Sequence, residues 1–258
     1  MKGIFNMTLQ QPLPELKESL KKLKLSGMLA SLDTRNQQAL SGQMAYCEFL
    51  SLLAHDELLL REHRSSERRC RIAHLKGHKT IENFDFNFNP NINRRLIHNL
   101  ATCHFIREKQ SLLLVGPCGT GKTHLAEALG FCAIKQGFDV MCTTQSQLTA
   151  QLQAARATHS YGKRLKQLTT IPLLIIDDFG LKPLKTPEDE DLHEVISQRY
   201  ENGSMIVTSN LAVSEWQQAF PNQLLGAATL DRLQHRAEII VLDGASYRSQ
   251  QNMQKKEK

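Results

Sequence analysis

Apolar positions follow two regimes along the chain. Over roughly the first 75 residues they recur three and four apart: Leu13, Leu16, Leu20 and Leu23, then Met28, Leu29 and Leu32, then Phe49, Leu50, Leu52, Leu53, Leu58, Leu59 and Leu60. That is the period of helices burying one face. Pro12 and Pro14 stand ahead of the first run, and Ser26-Gly27 and Ser41-Gly42 punctuate the series, so a small all-helical unit is predicted. From about residue 91 the pattern changes to short apolar runs at 111–115, 140–143, 173–176, 205–209 and 238–242, separated by amphipathic helical stretches. Five strands alternating with helices predict an α/β domain with a parallel five-stranded sheet and helices on both faces. Between the regimes, 80–90 alternates apolar and polar residues and stops at Pro90. It reads as an extended linker whose Phe84, Phe86 and Phe88 most simply pack it onto the next domain, with a place in a purine pocket as the less favoured alternative. The resulting division is 1–79 helical, 80–93 linker, 94–250 sheet domain and 251–258 polar tail.

A chain of 258 residues, 41% hydrophobic and 22% charged, can bury a sizeable core and lies outside disordered and low-complexity classes. No apolar run approaches the roughly 20 residues a bilayer span requires, and the first residues lack a secretory apolar core, so no membrane association and a cytoplasmic location are expected. The six cysteines form no CxxC pair and have no histidine at ligand spacing, which favours reduced thiols over a zinc site. Charge is unevenly spread. Of the net +6, residues 1–80 contribute +5, from 13 Lys and Arg against 8 Asp and Glu. Within 61–79, Arg61, Arg64, Arg68, Arg69, Arg71, Lys76 and Lys79 face only Glu62 and Glu67. Such a segment is either a solvated helix face or a surface that neutralises phosphates without reading bases; its concentration favours salt-sensitive DNA binding.

The run Ser111-Leu112-Leu113-Leu114-Val115 leads directly into Gly116-Pro117-Cys118-Gly119-Thr120-Gly121-Lys122-Thr123, and then into a helical stretch opening with His124 and Leu125. This is GxxxxGK[ST] in the strand–loop–helix order it needs. Glycines let backbone N–H groups converge on phosphate oxygens, the helix start presents its positive dipole end, Lys122 reaches the β- and γ-phosphates, and the Thr123 hydroxyl ligates Mg²⁺. The apolar run 173–176 ends in Asp177 and Asp178. Beside a phosphate loop, Asp177 is placed to hold the ion and Asp178 to polarise an attacking water. The run 205–209 ends at Asn210, whose amide either orients that water or forms a turn before Leu211.

Several segments together resemble the AAA+ superfamily, and within it the insertion-sequence transposition helper ATPases of the IstB type, relatives of the replicative helicase loader DnaC. They are Leu23-Lys24-Leu25-Ser26-Gly27-Met28, 116–125, the LIIDDFGL of 174–181, Thr208-Ser209-Asn210-Leu211, Leu230-Asp231-Arg232-Leu233 and Gly244-Ala245-Ser246-Tyr247-Arg248. The resemblance implies an AAA+ P-loop fold, ATP and Mg²⁺ at Lys122 and Thr123, a Walker B pair in Asp177 and Asp178, and sensor 1 in Asn210. It also implies an arginine supplied across a subunit interface. Arg232 matches that finger and Arg248 a group on the bound nucleotide, with surface positions or pairing to Asp231 and Asp243 as the alternatives. Asp178 stands where Glu is usual, which points to slow, partner-dependent hydrolysis. An arginine given to the next subunit makes a heterologous contact, hence rings or spirals. The function implied is an ATPase that assembles on duplex DNA and assists a cognate transposase. A helicase loader is the alternative; a small-molecule kinase would leave Asn210 and Arg232 without a role, and a non-hydrolysing nucleotide module would leave Asp178 idle.

Overall fold

The fold was taken from a computed structural model of the chain, which describes residues 14–75 and 79–247. Pro12, Leu13, Lys76, Arg248 and the tail 251–258 lie outside the described residues. The chain divides into two compact units, Met1–Arg68 and Arg69–Lys258.

In the first unit the helical periodicity becomes α1 (Pro14–Lys22), α2 (Ser26–Gly42) and the greater part of α3 (Tyr46–Ile72). Leu20, Leu32 and Leu53 form its buried core, with Leu25, Met28, Leu29 and Phe49 packed against them. So small a core is supplemented by polar clamps. Ser26-Gly27 does not interrupt a helix; it is the first turn of α2, and a Cβ at Gly27 would sit 2.6 Å from Glu57 Cα, so only glycine permits this approach. The close crossing lets buried Glu57 accept hydrogen bonds from Gly27 N (2.6 Å) and Met28 N (3.3 Å), two donors that the helix start leaves without partners, and from Arg61 Nε (2.7 Å). Burial alone would raise the Glu57 pKa, but Arg61 and the two N–H groups outweigh it and hold it below the ordinary glutamate range. Arg35 makes a bidentate pair with Asp56, Nε to Oδ2 and Nη2 to Oδ1, both 2.8 Å, which with Ser31 lowers Asp56 to about 2.

The division falls inside α3, upstream of the expected boundary at 79/80, because the residues after Arg68 pack with the sheet. Cys70 and Ala73 are buried in the second unit's core, and Ala73 O accepts from Cys142 N at 3.0 Å. The segment 80–93 forms turns rather than a strand, with Ile81 and Ile92 also in that core. Five strands follow: β1 (Ser111–Val115), β2 (Val140–Thr144), β3 (Leu173–Asp177), β4 (Ser204–Ser209) and β5 (Ala237–Val241). All pair in parallel, in the order β2-β3-β4-β1-β5. The runs of β1, β3 and β4 are nearly continuous in apolar residues because both faces are covered, whereas β5 at the edge leaves Ile239 and Val241 exposed. Leu112, Leu114, Leu173, Ile175 and Ile206 pack on one side with α4 (Arg94–Leu100), α5 (His104–Arg107) and α6 (Lys122–Lys135). Leu113, Val115, Leu174, Ile176 and Val207 pack on the other with α7 (Gln145–Ala157), α8 (Tyr161–Thr170), α9 (Glu188–Arg199) and α10 (Gln223–Gln234).

Where β3 and β4 begin, a single cation closes the layer. Arg199, fully buried, donates from Nη1 to Leu168 O (2.7 Å) and Ile171 O (2.8 Å), and from Nη2 to Pro172 O (3.3 Å) and Ser204 O (2.5 Å). Burial pulls its pKa down to about 10.

Candidate functional site

The order β3-β4-β1 brings the carboxyl ends of three strands side by side, at the switch point where parallel sheets collect ligand groups. The loop after β1 turns back at Gly116, φ +140°, where a Cβ would collide with the Leu242 carbonyl oxygen. No other residue fits there. Gly116 N donates to Ser209 O at 3.2 Å and Leu242 N to Val115 O at 2.8 Å, fixing the loop's root between β4 and the residue after β5. Thr120 Oγ1 donates to Pro117 O at 3.0 Å. α6 starts at Lys122, so its first N–H groups and positive dipole end face the loop. The Lys122 ammonium lies in the loop's concavity, donating to Gly116 O (2.7 Å) and Pro117 O (2.6 Å).

Asp177 is the last residue of β3. Its Oδ1 accepts from Thr123 Oγ1 at 2.9 Å and from Thr208 Oγ1 on β4. Asp178 leaves the strand with φ +57°, a conformation tolerated by Asp more readily than by most residues, and its N–H donates to Thr208 Oγ1 at 3.2 Å. Ser209 Oγ holds Phe179 O at 2.6 Å. The threonine and serine of Thr208-Ser209-Asn210 thus build the turn that aims the two carboxylates. Asn210 follows at the end of β4. One cavity of about 490 Å³ is lined by the loop residues 118–124 together with Asp177, Asp178 and Asn210. Among the described residues no group of three or more His, Cys, Asp or Glu converges on a metal position. The Thr123 hydroxyl and Asp177 carboxylate supply hard oxygens suited to Mg²⁺, an ion that keeps several waters and takes its remaining ligands from phosphates.

The structure differs in emphasis from the sequence reading at two places. Phe84, Phe88 and Tyr247 line this cavity, so for two of the three phenylalanines the less favoured of the two readings, a place in the nucleotide pocket, gains support over packing. Phe84 meets His124 edge to face at 5.3 Å, Phe88 meets Tyr247 at 5.0 Å, and Tyr247 N donates to Gly119 O. Only Phe86 turns away, toward His98 and Arg94. His124 Nε2 donates to Thr80 O at 2.8 Å, tying α6 to the segment before the aromatics. Second, Lys79 is not grouped with the arginines; its ammonium pairs with the buried Glu127 carboxylate of α6 at 2.7 Å. Arg232, expected to act across a subunit interface, is remote from the loop of its own chain. It lies half-buried on α10 with Nη1 on Ala228 O at 3.0 Å, beside Ser111 and Met205 where β1 and β4 begin.

Of the remaining basic positions, Arg61, Arg64, Arg68 and Arg71 fall at i, i+3, i+7 and i+10 of α3, one stripe of that helix. Arg61 pairs with Glu57, Arg64 Nη1 donates to Ser26 Oγ at 2.6 Å, and Arg68 and Arg71 are exposed. Arg69 lies off the stripe, 3.6 Å from Asp139. Among the described residues no helix is long and apolar enough to cross a membrane.

Known proteins extend what the geometry says. The family model for IstB-like ATP binding proteins matches residues 18–255. An insertion-sequence ATP-binding protein of Mycobacterium tuberculosis is 38% identical over 236 residues, covering 91% of this chain and 94% of that protein. The IS21 ATP-binding protein of Pseudomonas aeruginosa is 35% identical over 234 residues, covering 91% and 88%. Among solved structures, the DnaC helicase loader superposes with a TM-score of 0.52 at 24% identity over 58% of this chain and 88% of that one. DnaI does so with a TM-score of 0.55 at 20% identity over 64% and 90%. The structural likenesses speak for the AAA+ fold; the sequence match across nearly the whole length, joined to a phosphate loop set against two strand-end carboxylates, says more, and the chain belongs to the IstB-like ATP-binding protein family.

Proposed function

We propose that this chain is an ATPase that assembles on duplex DNA and assists a cognate transposase during insertion-sequence transposition. The observation that carries the reading is the cavity joining loop residues 118–124, Asp177, Asp178 and Asn210 at one end of the sheet. Loop N–H groups and Lys122 bind the triphosphate. Thr123 and Asp177 hold Mg²⁺, which when bound neutralises charge on the β- and γ-phosphates. Asp178, turned out of line by its left-handed backbone, orients and polarises the water, and Asn210 positions it against the γ-phosphate. Phe84, Phe88 and Tyr247 offer ring faces and edges to a purine. Arg248, outside the described residues, is retained only as an expected nucleotide contact.

Arg232 lies at the opposite end of the sheet from its own loop, so a finger role requires a neighbouring subunit. That arrangement supports the ring or spiral and makes hydrolysis depend on assembly, by about 10³ to 10⁵ in comparable phosphoryl transfers. The α3 stripe of Arg61, Arg64, Arg68 and Arg71 supports contact with DNA phosphates and, between the two readings of the shared core, favours the transposition helper over the helicase loader. The helical residues before 80 then serve DNA or partner binding and 94–250 serve ATP. Calorimetry of ATP uptake by the parent and Lys122→Ala, with phosphate release measured with and without DNA for Asp178→Asn, tests the proposal. Equal uptake by parent and Lys122→Ala would refute the nucleotide site. Undiminished release by Asp178→Asn would remove that carboxylate from the chemistry.

A further inference from the structure

The sheet domain carries a charged surface that the nucleotide cavity does not use. Between Asp139 and Asp177, residues 140–176 contain no Asp or Glu at all, whereas 26 carboxylates in 258 residues would put about four there. The same stretch holds Arg156, Lys163, Arg164 and Lys166. Arg156 is committed to the buried Asp191 at 2.5 Å. The other three, all on α8, have no such partner: among the described residues none forms an ion pair, and Lys163 and Lys166 are exposed. Arg164 is held by neutral groups, donating to Gln151 Oε1 and to Gln167 Oε1 at 3.1 Å. Its position is thereby fixed while its charge stays uncompensated.

Of these, Arg164 lines a groove of about 610 Å³ running beside β2, an edge strand of the sheet, and Lys163 and Lys166 stand near it in sequence on the same helix. Arg69 and His74, at and just beyond the end of α3, form one wall; Gln151 and Gln167 with Arg164 form the other. Asp139, already 3.6 Å from Arg69, is the carboxylate in the lining. Guanidinium forks, amide donors and flanking lysines are the set that grips phosphodiesters without reading bases. The cations are spread along an open groove and its outer helix, not converged on one point, which suits a polyanionic strand better than a free phosphate.

We infer that the groove between Arg69 and Arg164, extended by the exposed Lys163 and Lys166 of α8 outside it, is a second surface for the sugar-phosphate backbone of duplex DNA. The inference rests on the reading of this chain as a DNA-binding ATPase and adds the sheet domain to the α3 stripe as a place of contact.

The test is a salt titration of binding to a random-sequence duplex by the full-length protein with a non-hydrolysable ATP analogue. The parent is compared with K163A/K166A, K163E/K166E and R61A/R64A/R68A. Each phosphate that is no longer neutralised should reduce the slope of log K against log salt by about 0.9, so K163A/K166A should flatten it by about 2 and weaken binding about tenfold, and K163E/K166E should weaken it further. Both variants should take up ATP as the parent does. If they bind DNA with the parent's affinity and slope while R61A/R64A/R68A does not, the groove is refuted and the DNA reading stands. If the parent itself does not bind duplex DNA, that reading and this one fall together. Tight one-to-one uptake of tripolyphosphate by Lys122→Ala, abolished on adding K163A/K166A, would make this a site for free polyanions and overturn the assignment.

Discussion

The two units of this chain solve the same problem with different means. The helical unit has three buried leucines and depends on ionised clamps, Glu57 on the start of α2 and Arg35 on Asp56. The sheet domain has apolar layers on both faces and uses its polar groups elsewhere, to hold a turn, a loop and two carboxylates at one end. The difference shows where chemistry can be housed. A sheet packed between apolar layers can hold a loop and two carboxylates in fixed register at its end, while a unit held by charge pairs on its helices presents further charges along α3.

That contrast can be broken from either side. The largest effect should come from Lys122→Ala. Saturating ATP, at about 100 times its Kd, should stabilise the parent by about 2.7 kcal/mol, read from the fluorescence of Trp216, which is buried against Phe179 beside Asp178; the variant should show no shift. Gly116→Ala should cost about 2–4 kcal/mol, because backbone rather than a flexible side chain blocks its Cβ, and urea unfolding followed at Trp216 would register it. In the helical unit, Glu57→Ala leaves two helix-start donors and Arg61 without their acceptor and should cost about 2 kcal/mol, seen as early loss of helical circular dichroism ahead of the tryptophan transition.

Acid should separate the units further. Asp56 is lowered to about 2 by the Arg35 and Ser31 side chains, against an ordinary value of 3.8, so the folded unit binds fewer protons than the unfolded chain between those values. Its contribution is complete above the ordinary carboxylate range and fades as pH falls through about 2. A pH titration of helical signal should therefore show a loss below pH 4 that Asp56→Asn flattens; an unchanged profile in that variant would assign the acid sensitivity to another group. Smallest of all, Arg68→Ala and Arg71→Ala should move stability by less than about 0.5 kcal/mol while changing the salt dependence of DNA binding.

How much of this is legible without the fold differs by region for physical reasons. The phosphate loop is a local object: strand, glycines and helix start are contiguous, and each of the five strands appears within a residue of its expected ends. The α3 stripe is also local, since helical spacing alone puts Arg61, Arg64, Arg68 and Arg71 on one side. What the sequence hides depends on distant partners. Lys79 counts as one more surface cation until Glu127, 48 positions on, claims it. Gly27 looks like a helix break because the backbone it must clear, at Asp56 and Glu57, lies in another helix. Phe84 and Phe88 read as members of an extended alternation, but their segment is a series of turns, where period-two reasoning has no hold. The carboxylate-free stretch 140–176 is visible in the sequence, yet its cations are too sparse to stand out beside the 61–79 cluster, and only the fold sets them along a groove.

Arg199 ties the loop before β3 to the first residue of β4 through four main-chain oxygens, with its full charge inside the protein. The sheet is thus bolted at its foot by one guanidinium, whereas its head, where the loop and carboxylates stand, is held by Lys122 and by the hydroxyls of Thr208 and Ser209. A change of bound nucleotide reaches those hydroxyls before it reaches the buried guanidinium, so the turns after Asp177 and Ser209 should register it first and the foot of the sheet last.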